Sequence, residues 1–255
     1  TLSAAGVQSR RFVEPHATRR GQCVFEHVYF ADPASLVFGA NVHETRKAMG
    51  RQLAREAPAD ADLVIAVPNC ARCAAIGFHE HSGLPLGRGF TSNHYVGRSF
   101  IQPVQSIRDL TVKMKLNPIR ASVAGKRLVV VEDSVVRGTT TRGKMQSLRA
   151  AGAREIHLRV ASPPIRHPCY YGIDFPSRGE LVAHQRSVAE IRDYLGVDSL
   201  EYLSLEGMLA CFPEAERRHY CTACFCGDYP IPIDEGFEKD VFEKHQLKFF
   251  DTGAR

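Results

Sequence analysis

The segment Leu128-Val-Val-Val-Glu-Asp-Ser-Val-Val-Arg-Gly-Thr-Thr-Thr141 concentrates residues that could do chemistry. An apolar run ends in two adjacent carboxylates, Glu132 and Asp133. A loop of hydroxyls and one glycine follows, and a helical pattern begins behind it. In open α/β sheets ligands sit at the carboxyl ends of the strands. A Ser/Gly/Thr loop at a helix N-terminus offers backbone N–H groups and hydroxyls to a phosphate. Carboxylates just ahead of it would face whatever the phosphate is attached to, accepting sugar hydroxyls or helping to hold Mg2+. The alternative is a surface turn capped by Asp and Thr, and the tight order of strand, acid pair, loop and helix weighs against it.

The cysteines form a second group. Eight in 255 residues are too few for the disulfide scaffold of a small secreted domain. Cys70-Ala-Arg-Cys73 and Cys221-Thr-Ala-Cys224 are both C-x-x-C pairs, open to a zinc site or a redox dithiol. Their separation is long for a zinc ribbon, and neither lies in a thioredoxin-like context.

The elements that would position these groups follow from hydrophobic period. Leu63–Val67, Arg127–Val131 and Glu155–Val160 read as buried strands. Asn41–Ala57, stopped by Pro58, reads as a weak amphipathic helix; Ala71–His81, closed by Gly83, and about Thr141–Ala151, stopped by Gly152, read as two more. Short apolar strands alternating with helices predict an α/β fold, a mainly parallel sheet flanked by helices. After Pro163-Pro164 the spacings Ser177-x-x-Glu180 and Ser187-x-x-Glu190 predict capping boxes. The stretch 196–213 reads as a further helix before a Cys-rich tail. Residues 1–20 are polar and Arg-rich and read as a linker or tail, the start of a fragment.

Composition bounds the rest. Hydrophobic residues make up 44% and charged residues 24%, ordinary globular values that give no support to a disordered or fibrous chain. No apolar run approaches the ~18 residues of a membrane span, so no membrane partner and a cytoplasmic location are expected. The net charge of +5 is scattered; it suits an anionic small molecule as well as nucleic acid, and composition alone does not choose between them.

The segment around Glu132 resembles the phosphoribosyl pyrophosphate (PRPP) signature of type I phosphoribosyltransferases. His94-Tyr-Val-Gly-Arg-Ser-Phe-Ile-Gln-Pro103, Val112-Lys-Met-Lys-Leu-Asn-Pro118, Ser162-Pro-Pro-Ile165, Pro168-Cys-Tyr-Tyr-Gly-Ile-Asp174, Tyr202-Leu-Ser-Leu-Glu-Gly207 and Cys221-Thr-Ala-Cys-Phe225 narrow the match. They resemble segments of the amidophosphoribosyltransferases, over roughly four-fifths of the chain, from Gln22 to Pro230.

The resemblance implies a type I phosphoribosyltransferase fold over 21–230, with a C-terminal helical and Cys-rich extension, and a tail at 231–255. It implies a synthase half that displaces pyrophosphate from PRPP with ammonia, the first step of purine biosynthesis. Residues 1–20 would then be a linker or the remnant of an N-terminal glutaminase domain, missing or separate, which supplies ammonia from glutamine. The loop Ser134, Val135, Val136, Arg137, Gly138, Thr139 and Thr140 would take the 5-phosphate. Glu132 and Asp133 would meet ribose and Mg2+, although Asp is more usual at the first position. Asn69 and Cys70 occupy the pyrophosphate loop where Asp and a Mg-associated Ser are common, and a thiol is a softer, poorer partner for Mg2+. The charged segment Gly97–Pro118 matches a loop that closes over PRPP, so Lys115, Arg98 and Arg108 are expected to be the cations near pyrophosphate, Lys115 first. Some members hold a [4Fe–4S] cluster in the Cys contexts found here at Cys23, Cys169, Cys221 and Cys224. Purine nucleotides as inhibitors, a homo-oligomer and no nucleic-acid partner are further expectations of the resemblance. Two alternatives stand beside this reading: a PRPP- or nucleotide-sensing regulator of the same fold, and a nucleobase salvage phosphoribosyltransferase.

Overall fold

Runs of Val, Ile and Leu bounded by Gly, Pro and Asp become strands in the computed structural model, which describes residues 1–4, 6–10, 20–92, 116–175 and 177–233. The principal elements are β1 (Gln22–Cys23), α1 (Val42–Glu56), β2 (Leu63–Ala66), α2 (Arg72–Ser82), β3 (Leu86–Gly87), β4 (Phe90–Ser92), β5 (Leu116–Pro118), β6 (Arg127–Glu132), α3 (Thr139–Ala150), β7 (Glu155–Val160), α4 (Val188–Leu195), β8 (Ser199–Tyr202), α5 (Leu205–Ala210), β9 (Tyr220–Cys221) and α6 (Ala223–Cys226). Five strands form one sheet in the order β8-β7-β6-β2-β3. Every pairing in it is parallel. The α/β expectation therefore holds.

A parallel sheet hides both faces, and the strand period of two sends alternate residues to two cores. Val64, Val129 and Val131 face α1, α2 and the C-terminal segment around Met208, Phe212 and Phe225. Leu63, Ile65, Leu128, Val130, Ile156 and Leu158 face α3 and α4, through Met145, Leu148, Ile191 and Leu195. Each such side chain contributes ~1.5–3 kcal/mol when fully buried.

Helix starts and stops obey local chemistry. Asn41 accepts the Glu44 N–H at 3.1 Å to cap α1, and Gly83, at φ +72°, ends α2. The two helices touch backbone to backbone: a Cβ on Gly50 would stand 1.9 Å from the Ala74 carbonyl oxygen, and one on Gly77 1.9 Å from that of Lys47. That contact fixes α2, and with it the Cys70–Cys73 turn. Ser187 and Glu190 form the expected capping box of α4.

Several expectations are corrected. The predicted helix over 196–213 is instead strand β8 followed by the short α5. Its Leu200 and Tyr202 register against Leu158 and Val160 of β7, and hydrogen bonding to an open sheet edge outweighs helical propensity over so short a run. Ser177 and Glu180 make no full box; the Ser177 hydroxyl donates to the Glu180 carboxylate at 3.1 Å beside a single 3-10 turn, Arg178–Glu180. Leu116–Pro118, read as loop, is strand β5, paired with β4. In the N-terminal stretch, Leu2–Ser3 and Gly6–Val7 form a small exposed antiparallel pair. No helix among the described residues is long and apolar enough to cross a membrane.

Candidate functional site

The order in which strands are added reverses between β2 and β6: from β2 the chain adds β3 on one side, then β6, β7 and β8 on the other. Such a switch point opens a crevice at the carboxyl ends of the two strands. Here those ends carry Pro68–Cys73 after β2 and Glu132–Thr140 after β6. Both line one cleft of about 2040 Å3, larger than the ~300–1,000 Å3 of an ordinary small-molecule pocket.

On the β6 side the loop turns through Gly138, at φ +78°, immediately before the twelve-residue α3. A side chain there would be strained by the left-handed backbone and would meet the Tyr194 ring at 3.2 Å. The first N–H groups of a helix have no intrahelical acceptor, so this turn presents donors and the positive end of the helix dipole to the cleft. Ser134, Val136, Arg137, Gly138, Thr139 and Thr140 all line it. Val135 is the exception: its side chain is 2% exposed and belongs to the core, so only its backbone can serve the loop. Arg137 is held sideways by Glu180, its Nε 2.8 Å from the carboxylate.

The two carboxylates differ in setting. Glu132 shares the strand face of Leu128 and Val130 and is buried. Lys144, on the second turn of α3, brings its Nζ within 3.2 Å of Glu132 Oε1. Burial pushes the Glu132 carboxyl up to about 7, against the pull of Lys144, with Asp133 adding to the rise. Asp133 comes one residue later and accepts the Ser134 hydroxyl at 2.6 Å; burial raises it too.

On the β2 side, Asn69 and Cys70 line the same cleft, after a cis peptide bond between Pro68 and Asn69. The Cys70 thiol is raised by burial and by the charge of Asp133. Cys73 points away, buried, with the His43 Nδ1 at 3.2 Å from its sulfur. Arg98, Arg108 and Lys115 lie outside the described residues.

Sequence reasoning missed other lining residues. Tyr29 and Phe30 reach the cleft from a π-helical turn, Glu26–Phe30. That turn is tied down by buried Arg46, whose Nε donates to the His27 carbonyl at 2.6 Å and Nη2 to that of Ala31 at 2.9 Å. The Tyr29 hydroxyl is raised by burial and then by Cys70 and Asp133. Arg72, Arg88, Arg142 and Lys144 are the described cations lining the cleft that sequence reasoning did not single out. Hydrophobic period points to none of these; the loop position of Arg72, inside the Cys70–Cys73 turn, is the one signal that was legible.

The remaining cysteines meet elsewhere. β1 and β9 pair in parallel with Cys23 opposite Cys221. Burial pushes the Cys23 thiol up to about 11, with further rises from Cys169 and Cys221. Burial also raises Cys224, with added pressure from Cys23, Cys221 and Cys169. Cys224 lies in one core cluster against which Cys23 and Cys169 pack, and Cys221 joins them through its pairing with Cys23. Among the described residues, however, no three His, Cys, Asp or Glu are already grouped as a metal site.

No family model matches the chain. Curated proteins do. It is 48% identical to the amidophosphoribosyltransferase of Mycobacterium tuberculosis (strain H37Rv) over 260 residues, covering 99% of this chain and 48% of that protein. It is 51% identical to the chloroplastic amidophosphoribosyltransferase 2 of Arabidopsis thaliana over 221 residues, 87% of this chain and 39% of that one. Among solved structures, the glutamine PRPP amidotransferase of B. subtilis complexed with ADP and GMP superposes with a TM-score of 0.80 at 44% identity, over 92% of this chain and 52% of that one. A structure described as the allosteric regulatory enzyme of purine biosynthesis matches with the same TM-score, 0.80. The chain spans about half the length of the curated relatives it matches. The architecture is the type I phosphoribosyltransferase fold.

Proposed function

The chain belongs to the amidophosphoribosyltransferase family, spanning about half the length of its members, and we propose that it carries their synthase chemistry: displacement of pyrophosphate from PRPP by ammonia, giving 5-phosphoribosylamine at the start of purine biosynthesis. One observation carries the proposal. The hydroxyl-rich turn before α3 and the turn through Pro68, Asn69 and Cys70 before α2 open into the same cleft, at the sheet's switch point.

In this reading Ser134, Thr139, Thr140 and the loop backbone from Val135 through Gly138 hold the 5-phosphate. Asp133 and Glu132 meet the ribose. Asn69 and Cys70 border the pyrophosphate, Arg72 and Arg88 add positive charge to the cleft, and Lys115, Arg98 and Arg108 are proposed as further cations for the pyrophosphate. Displacement at the anomeric carbon passes through a cationic, oxocarbenium-like transition state. The protein's work is therefore to align the nucleophile, balance charge on the departing pyrophosphate and exclude water. Ammonia is already a nucleophile, so no strong base is required. A raised Glu132 and Asp133 at the cleft floor fit hydrogen bonding to sugar hydroxyls.

The carboxylate oxygens of Asp133 and Glu132 are the hard donors Mg2+ prefers, and Cys70 is not. Mg2+, when bound, neutralises the pyrophosphate. The convergence of Cys23, Cys169, Cys221 and Cys224 supports a [4Fe–4S] cluster, which needs four thiolates. Burial raises the Cys23 and Cys224 thiols, so cluster assembly would release protons as the thiolates form. Such a cluster would tie the β1 strand to the C-terminal segment.

We further propose residues 21–230 as the phosphoribosyltransferase domain with its extension, 1–20 as a linker and 231–255 as a tail. The ammonia would come from glutamine. The B. subtilis complex with ADP and GMP supports purine nucleotides as competitors for the same cleft. A homo-oligomer completes the proposal. Calorimetric titration with PRPP and Mg2+ tests it: saturable binding that 5-phosphate compounds compete away is expected, and absence of binding would overturn it.

A further inference from the structure

Glu132 and Asp133 are neighbours in sequence but not in surroundings. Successive strand residues face opposite sides, so Glu132 continues the face of Leu128 and Val130 that α3 covers. Asp133 leaves the strand and receives the Ser134 hydroxyl. Lys144 sits four residues after Thr140, one turn further along α3, and reaches back to Glu132 with its Nζ at 3.2 Å from Oε1 and 3.5 Å from Oε2. The side chains are only 16% and 7% exposed, yet both line the cleft. A carboxylate so buried is costly without a partner, and a charge-assisted contact also fixes its orientation. One ammonium does not exhaust the lone pairs of two carboxylate oxygens. The remainder can accept from a ligand in the cleft.

We propose that Lys144 is a positioning residue for sugar recognition, holding Glu132 at the cleft floor so that its carboxylate accepts from the hydroxyls of a ribose phosphate. Asp133 takes the complementary place nearer the loop. This role rests on the ribose-phosphate reading of the cleft, which concerns the loop and not Lys144. The two can be separated by comparing ribose 5-phosphate with 2-deoxyribose 5-phosphate, which share the phosphate and differ by one hydroxyl.

Calorimetry with the full chain at fixed Mg2+ provides the test. The wild type should bind ribose 5-phosphate about tenfold more tightly than the deoxy sugar, the scale of one hydrogen bond to a charged group. Lys144→Met keeps the aliphatic stem and deletes the ammonium; it should lose most of that preference while its affinity for the deoxy sugar stays within about twofold. Lys144→Arg should retain the preference. A wild-type ratio in Lys144→Met, or an equal loss of both sugars, would overturn the positioning role. If Lys144→Met does not fold, Glu132→Gln carries the same test, and an unchanged ratio there overturns the proposal. Wild-type binding of both sugars without preference would leave the ribose-phosphate reading in place and remove the Lys144 role. Binding of neither would remove both.

Discussion

Cys23 and Cys221 stand opposite one another in register across the parallel pairing of β1 with β9. Cys224 follows one helical turn later, in α6, and Cys169 is near enough to raise the Cys23 thiol. If these four ligate one cluster, anaerobically purified protein should be brown, with about four irons per chain by the stoichiometry of a [4Fe–4S] centre. Cys221→Ser should abolish the colour, and Cys73→Ser, whose sulfur lies against His43, should leave it. Oxygen should bleach the protein and lower its melting temperature, because metal binding is coupled to folding. A colourless preparation with one zinc per chain would contradict the iron assignment.

Cys70 faces the cleft with its thiol raised by burial and by Asp133, so it is a neutral, soft group where an oxygen donor would serve Mg2+ better. Cys70→Ser should lower the Mg2+ concentration that half-saturates PRPP binding by a few-fold. Calorimetric titrations across a Mg2+ series measure it. An unchanged Mg2+ requirement would remove Cys70 from the metal's neighbourhood.

Asp133 is the carboxylate at the end of β6 that belongs to the loop rather than to the core. Asp133→Ala deletes hydrogen bonds to a charged acceptor, worth ~1.5–3 kcal/mol, and should weaken PRPP binding roughly 10- to 100-fold with little change in melting temperature. An unchanged dissociation constant would move the ribose elsewhere.

His27 provides a stability prediction away from the ligand. Its ring is fully buried, in edge contact with Phe212 at 5.0 Å. Burial, and then Arg46, pushes it down to about 4 from its ordinary 6.5. Between those values the unfolded chain binds the proton and the folded chain does not, so stability is complete above about pH 6.5 and falls as pH drops toward 4, by up to ~1.4 kcal/mol per pH unit. Denaturant melts from pH 4 to 7 should show a shallower slope for His27→Phe than for wild type. Equal slopes would contradict the assignment.

Much of this was legible in the chain itself. Leu63–Ala66, Arg127–Glu132 and Glu155–Val160 declare themselves because buried parallel strands need unbroken apolar runs. The phosphate loop is readable because a helix N-terminus needs its glycine and hydroxyls at fixed offsets. Ser199–Tyr202 was not readable: four residues carry too little period, and the open edge of Glu155–Val160 decides their state. Lys144 escaped for a different reason. Its contact with Glu132 depends on how α3 packs back over β6, which no linear spacing expresses. The alternation rule alone does separate Glu132 from Asp133, and it could have warned that the two carboxylates are not equivalent. Tyr29 and Phe30 depend on Arg46 reaching across from α1 to hold their turn.

The central claim is that this cleft transfers the phosphoribosyl group to ammonia. The direct measurement is pyrophosphate release by the purified chain with PRPP, Mg2+ and ammonium at alkaline pH, where free ammonia is abundant. The account predicts turnover that requires all three components and is lost in Asp133→Ala. Pyrophosphate release no faster than in Asp133→Ala, from a chain that nonetheless binds PRPP, would contradict it and leave a PRPP-binding regulator of the same fold.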